Sequence, residues 1–417
     1  MHPKLPRSAR IACLSLGVVL PSTLASAVLA GGTGRFDLIG AAGDTATGVS
    51  DDGRVVAGYG SVDYWYWTPD GGFMPVDGAT PFEGAGGQAD ASADGSRIGI
   101  TVLNAQGKTE GAFHDIATGV TTPVGTFGFS CDLSATSCWG MSGDGTTIVG
   151  LGWHSGCAAR AFRYDPVGGL KDLGTLVPGS PTRANACNGN GSVIVGWQDS
   201  QSGARQGAIW RNGVEKLVTT ATGGALGEAG AVSADGVWAV GLGSGANGNR
   251  AWRFSESTGV LNMPASPIGG FTGYATDVSD DGARVLMFYR TPFPPATGGE
   301  GYMWIDGELR SLDDMAAEAG VAVPSGVRLA LPLAMSGDGY TIVGAARTPS
   351  GPRAFVLDLP RPSSCVADLD GDGQVAATDL GVLLGAWGVS STADLDGDGQ
   401  VNAADLALLL AAWGTCG

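Results

Sequence analysis

The stretch Ser142-Gly-Asp-Gly-Thr-Thr-Ile-Val-Gly150 has six near equivalents in the chain, beginning at Ser50, Ser92, Asn188, Ser233, Ser279 and Ser336. Their turn glycines, Gly53, Gly95, Gly145, Gly191, Gly236, Gly282 and Gly339, are 42, 50, 46, 45, 46 and 57 residues apart. A period in the forties is the signature of a propeller or a solenoid. In each copy an apolar run ends at the serine, Asp-Gly makes a hairpin turn, and the Val-Gly run returns. Asp-Gly predicts a type I′ turn, in which both central residues take positive φ. Further out comes an aromatic strand: Tyr64–Trp67, then GAFHD from Gly111, RAFRY from Arg160, GAIWR from Gly207, RAWRF from Arg250, GYMWI from Gly301 and RAFVL from Arg353. A fourth strand follows, as in LKDLGTL from Leu170 or EKLVTT from Glu215. Four antiparallel strands per copy build one blade, so the expected fold class is mainly β, a seven-bladed propeller.

The two ends of this region predict how the ring closes. The seventh copy stops after Arg353–Leu359 without a fourth strand, while an orphan strand, RFDLIG at Arg35–Gly40, precedes the first copy. Lending the orphan to the last blade removes the exposed sheet edges. The longest gap contains SLDDMAAEAG from Ser311. Ser311 and Asp314 suit a capping box and Gly320 a C-terminal stop, which predicts a short helix covering a loop surface.

VSDDGRVVAG, DLGTL and RAF resemble the HAF family of extracellular repeats over roughly residues 33–360. That resemblance implies the propeller architecture and carries no common chemistry with it.

Glycine supplies 72 of the 417 residues and charged residues only 15%, a composition of short strands and tight turns. Lys4, Arg7 and Arg10, an apolar run from Ile11, and small residues at Ala25, Ala27 and Ala30 form the layout of a secretory signal over 1–30, cut after Ala27 or Ala30. Its removal shifts the net charge from −17 to −20 and leaves no stretch able to span a bilayer. So acidic a chain disfavours nucleic acid as a partner and suits a secreted or cell-surface setting, extracellular or periplasmic. Loss of Cys13 with the leader leaves six cysteines, an even number that suggests disulfides. Cys365 and Cys416 bracket the last segment and are expected to pair. Cys131, Cys138, Cys157 and Cys187 allow three pairings, of which 131 with 138 and 157 with 187 is the one expected here.

No catalytic residue stands out in the propeller. After the leader only His114 and His154 remain as imidazoles. His114 sits in an aromatic strand and reads as packed; His154 lies near Cys157, which reads as a half-cystine rather than a nucleophile. Asp52, Asp94, Asp144 and Asp235 belong to turn chemistry rather than to a metal site. Tyr64, Trp65, Tyr66 and Trp67 have the period of aromatics that face neighbouring sheets, with sugar stacking as the competing reading.

Beyond a Pro- and Ser-rich linker at 359–364 the text changes. ADLDGDGQVAATDLGVLLGAWG from Ala367 repeats, at a period of 26, as ADLDGDGQVNAADLALLLAAWG from Ala393. Asp368, Asp370, Asp372 and Asp379, then Asp394, Asp396, Asp398 and Asp405, occupy positions 1, 3, 5 and 12 of two loops; Gln374 and Gln400 offer position-7 carbonyls. Carboxylates this crowded call for a hard cation, so two calcium ions are expected. The helices after the loops predict a small core of Leu383, Leu384, Trp387, Leu409, Leu410 and Trp413.

This loop–helix duplication resembles the type I dockerin module over roughly residues 365–417. The resemblance implies an all-α calcium domain that docks onto a cohesin-like or envelope partner, and an association with polysaccharide breakdown. Ala377, Thr378, Ala403 and Ala404 depart from the polar residues usual at the docking positions. The expected organisation is therefore 1–30 signal, 31–360 propeller and 361–417 calcium module. The expected function is a non-catalytic binding or assembly protein, with an O-glycosyl hydrolase acting on polysaccharide, or a structural envelope protein, as alternatives.

Overall fold

A computed structural model describes residues 34–61, 63–76, 86–291, 295–305, 307–361, 366–370, 374–389 and 391–415. The secretory signal and the expected Cys365–Cys416 pair lie outside them. The chain divides into two compact units, Gly32–Arg361 and Pro362–Gly417. Among the described residues no helix is long and apolar enough to cross a membrane.

The first unit is a seven-bladed β-propeller: seven four-stranded antiparallel sheets, six of them ordered as they occur in the chain. Blade 3 is representative, with Thr136–Met141 innermost, then Ile148–His154, Ala158–Asp165 and Gly169–Asp172 at the rim. Blade 7 has three strands of its own, Arg328–Met335, Thr341–Thr348 and Gly351–Asp358. Its rim strand is β1, Arg35–Ala42, paired from Arg35↔Asp358 to Ala42↔Arg353. The ring is closed by the N-terminal strand, as the orphan segment foretold.

The turn differs from expectation. Among the described residues only Asp132, Cys157 and Asn212 are non-glycines with positive φ, so no aspartate of the repeat is left-handed. The central residues keep negative φ, and only the closing glycine is left-handed, with φ from 66 to 75° across the seven copies. The reason is a side-chain circuit that type I′ geometry would break. In blade 1, Ser50 Oγ donates to Asp52 Oδ1 (2.6 Å), which also accepts Arg54 N–H (2.9 Å), while Val55 N–H donates back to Ser50 Oγ (2.9 Å). Ser92, Ser142, Ser233, Ser279 and Ser336 repeat it, each donating to the aspartate two residues on. These bonds to the charged form hold the Asp94 carboxyl, through Ser96 N–H first, and the Asp281 carboxyl, through Ser279 first, below the usual range.

Six inner strands carry a one-residue bulge at the same place, leaving Thr47, Trp139, Asn185, Gly230, Thr276 and Leu333 unpaired. The Val-Gly glycine lies opposite in five of them, and Met287 takes its place in the sixth. A Cβ on Gly150 would sit 1.9 Å from the Ser137 carbonyl oxygen, and one on Gly196 2.0 Å from that of Arg183. In those five blades the carbonyl turned by the bulge leaves no room for a Cβ.

The inserted helix α1, Leu312–Glu318, is capped by Ser311 as expected. It does more than cover a loop, because Leu312, Met315 and Ala316 are buried in a core shared with Leu286, Ile342 and Phe355. The cysteine expectation is corrected. Cys131 pairs with Cys157, while Cys138 and Cys187 are free and buried. Cys138 and Cys187 sit on inner strands facing the core, whereas Cys131 and Cys157 come from two loops.

In the second unit α2, Ala377–Gly385, and α3, Ala403–Ala411, share a core of Ala367, Val375, Leu383, Ala393, Val401 and Leu409. Four of the six residues predicted for the core lie outside it: Leu384, Trp387, Leu410 and Trp413 are 52, 46, 53 and 49% exposed. Each short helix packs through a narrow stripe, Leu380 and Leu383 or Leu406 and Leu409, so its other apolar residues have nothing to rest on within the unit.

Candidate functional site

Two regions concentrate chemistry. In the second unit, Asp368, Asp370 and Asp379 bring carboxylate oxygens within 4.8 Å of one another, as do Asp394, Asp396 and Asp398. Asp372 lies outside the described residues. Asp405 does not join the second trio. Asp379 and Asp405 are fully buried at the third position of α2 and α3. Asp379 Oδ1 accepts N–H of Leu369 (2.6 Å) and Asp370 (3.1 Å), and its Oδ2 that of Ala376 (2.8 Å). Asp405 does the same with Leu395 (2.7 Å), Asp396 (3.1 Å) and Asn402 (2.7 Å). These donors, Asn402 foremost, lower the Asp405 carboxyl; at Asp379 burial pulls upward but the Ala376, Asp370 and Leu369 amides outweigh it.

The second loop is wound on its own carboxylates. Asp394 accepts N–H of Gly397 (2.9 Å) and Gly399 (2.8 Å), and Asp398 accepts that of Gln400 (2.8 Å). Gly399, at φ 95°, makes the bend at position 6 of the loop. The Gln400 carbonyl accepts from Asn402 Nδ2 at 3.1 Å. Gln374 lies in a two-residue strand paired with Gly414–Thr415.

The other region is the propeller axis, where sequence reasoning had placed nothing. In four turns the residue after the serine, or after Asn188, donates its main-chain N–H to the same position of the next blade: Asp51 N–H to Ala93 O (2.9 Å), Ala93 N–H to Gly143 O (2.8 Å), Gly189 N–H to Ala234 O (2.9 Å) and Asp280 N–H to Gly337 O (2.9 Å). Above this ring lies a cavity of ≈ 440 Å³, lined by Asp51, Asp90, Asp277, Asp280, Asn185 and Trp139 among others. Asp90 and Asp277 clasp neighbouring blades, accepting Met141 N–H and Met335 N–H, each at 2.8 Å. Burial pushes their carboxyls up, to about 6 and about 7. A signal existed in the repeat: where these two stand, two residues before the serine, the other five copies have glycine or alanine.

The remaining candidates have structural posts. His114 is buried, its Nδ1 2.9 Å from Thr121 Oγ1, and burial lowers its pKa. His154 ends a strand, stacks on Phe127 (4.4 Å) and lies 3.1 Å from Asp172. Tyr64 and Trp65 are fully buried, and the half-buried Tyr66 packs beside His114 (6.0 Å). Asp52, Asp94, Asp144 and Asp235 are turn residues.

No family model matches this sequence, and no curated protein is similar to it. Among solved structures it is similar to the β-propeller domain of the Trilobed protease from Pyrococcus furiosus (11% identity, 79% of this chain and 98% of that one, TM-score 0.48). It is similar also to oligogalacturonate lyase from Vibrio parahaemolyticus (12%, 78% and 94%, TM-score 0.49) and to TolB from Acinetobacter baumannii (12%, 76% and 63%, TM-score 0.38). None of these likenesses assigns an activity to this chain.

Proposed function

We propose that this is an exported, calcium-dependent binding or assembly protein. In this reading the propeller presents a binding surface, and the C-terminal unit, resembling a dockerin, attaches it to a cohesin-like or envelope partner. The observation that supports it most is the convergence of three carboxylates in each of two segments whose sequence repeats at 26 residues. The donor set fits calcium: hard oxygens in number and no nitrogen or sulfur, as that ion prefers. Asp368, Asp370, Asp372 and Asp379, with the Gln374 carbonyl, would hold one ion; Asp394, Asp396, Asp398 and Asp405, with the Gln400 carbonyl, the other. The bound charge would relieve repulsion within each loop and fix the helix that follows. The exposed apolar residues in and just after α2 and α3, Leu384 and Trp387, Leu410 and Trp413, then supply a surface for attachment.

Calorimetric titration of the chelator-treated full chain with calcium tests the metal reading. Two equivalents are expected, and one after Asp394→Ala with Asp396→Ala; absence of saturable binding overturns it. Attachment is tested separately, by capture from the envelope fraction with and without chelator. Capture that ignores calcium refutes the coupling of the two.

A further inference from the structure

A second cavity, ≈ 470 Å³, opens between blades 3 and 4 and is lined by Arg163, Lys171, Asn190, Ser192 and Asn212, with Asp172 the one acid on its wall. Its wall carries two cations and one acid on a chain of net charge −17. We propose that this pocket binds a small oxyanion, the carboxylate, sulfate or phosphate group of a polar solute.

The repeat itself supplies the argument. Six of the seven turns carry aspartate at the third position, and the one that lines this cavity carries Asn190 instead. Asn190 performs the aspartate's structural task, its Oδ1 accepting Ser192 N–H at 3.1 Å, without the charge. The turn needs an acceptor there, not a carboxylate, and the neutral version occurs where a carboxylate would face Lys171 and Arg163.

The two cations of the wall are not equally engaged. Arg163 is held by Asp165 and by the Gly191 carbonyl, which its Nε reaches at 3.2 Å. Asp172 lies 3.1 Å from His154 Nε2. Lys171 has no ion pair among the described residues. The Asn190 Nδ2, the Ser192 hydroxyl and the Asn212 side-chain Nδ2 make no hydrogen bond there either. One ammonium outside any close ion pair and three unengaged neutral donors around a cavity of ligand size fit an anion with a polar body.

The test is titration of the full chain, followed by ligand-observed NMR, with inorganic sulfate, inorganic phosphate, glucuronate and glucose. Saturable binding of the anions and none of glucose is expected. Tighter binding of glucuronate identifies an acidic sugar as the source, and tighter binding of the inorganic ions a free anion. Asn190→Asp should weaken binding about tenfold or more through direct repulsion, and Lys171→Ala comparably. Asn188→Ser with Asn190→Asp restores the phrase of the other turns, so loss of binding with an unchanged unfolding midpoint separates charge from misfolding. Binding of glucose as strong as that of glucuronate, no binding of any anion, or unchanged affinity in Asn190→Asp would overturn the proposal.

Discussion

Ser142→Ala isolates the device on which each blade is built. The Ser142 side chain is fully buried; its Oγ donates to Asp144 Oδ1 at 2.6 Å and accepts Thr147 N–H at 2.9 Å. Alanine removes both bonds at once. A hydrogen bond to a carboxylate contributes about 1.5–3 kcal/mol, and a buried amide left without an acceptor costs about 1–3 kcal/mol. Because the aspartate keeps Thr146 N–H (3.0 Å) and faces solvent, part of the first loss is recovered from water. A net destabilisation of about 2–4 kcal/mol follows, a large share of the roughly 5–15 kcal/mol typical of a folded domain. Asp144→Asn keeps the acceptor and should cost under about 1 kcal/mol, as the natural Asn190 suggests. Urea unfolding followed by tryptophan fluorescence measures both. A loss below about 0.5 kcal/mol in Ser142→Ala, or equal losses in the two variants, would refute the circuit as a source of stability.

Three further outcomes are expected. Gly150→Ala sets a methyl against the Ser137 carbonyl and should destabilise by about 3 kcal/mol or more, or prevent folding, as thermal unfolding and soluble yield will report. The folded-state pKa of Asp277 is raised to about 7, above its unfolded value, so the group's contribution is fully present below about pH 4 and is lost as pH rises towards 7. Asp277→Asn should flatten that limb of a stability–pH curve, and an unchanged slope counts against it. Replacing Cys131 and Cys157 by serine should cost about 3 kcal/mol for the 26-residue separation they close, whereas Cys138→Ser should leave thiol–disulfide status unchanged in a mass-spectrometric assay.

The period of the turn glycines made the number of blades legible, and the orphan strand made the closure legible, because both are matters of counting along the chain. The short helix was legible through Ser311 and Gly320. What escaped depends on where side chains meet across blades. The identity of the turn could not be read from Asp-Gly alone, since the serine two residues earlier decides whether the aspartate is a local acceptor. Cys138 and Cys187 carry no mark in one dimension that they face the core. The apolar residues of α2 and α3 outnumber the stripe two short helices can bury, so composition overstated the core. The acids of the axis were hidden for the opposite reason: Asp90 and Asp277 stand at positions that are small elsewhere, and a reading tuned to what recurs passes over what departs. The convergence of carboxylates in the two C-terminal loops was the part of the site most open to spacing alone.

The partnership of β1 with blade 7 also sets an order of events. Arg353 Nε bonds the Gly40 carbonyl at 2.9 Å across 313 residues of chain. A ribosome or a translocation pore releasing the chain from its N-terminus must expose β1 long before its partner exists. Blades 1 to 6 can assemble by local hairpins, but the last sheet waits for nearly the whole propeller to emerge. Non-local pairing of this reach slows folding. Throughout that interval β1 is an unpaired strand in need of protection, and a truncation ahead of residue 351 would leave it permanently so.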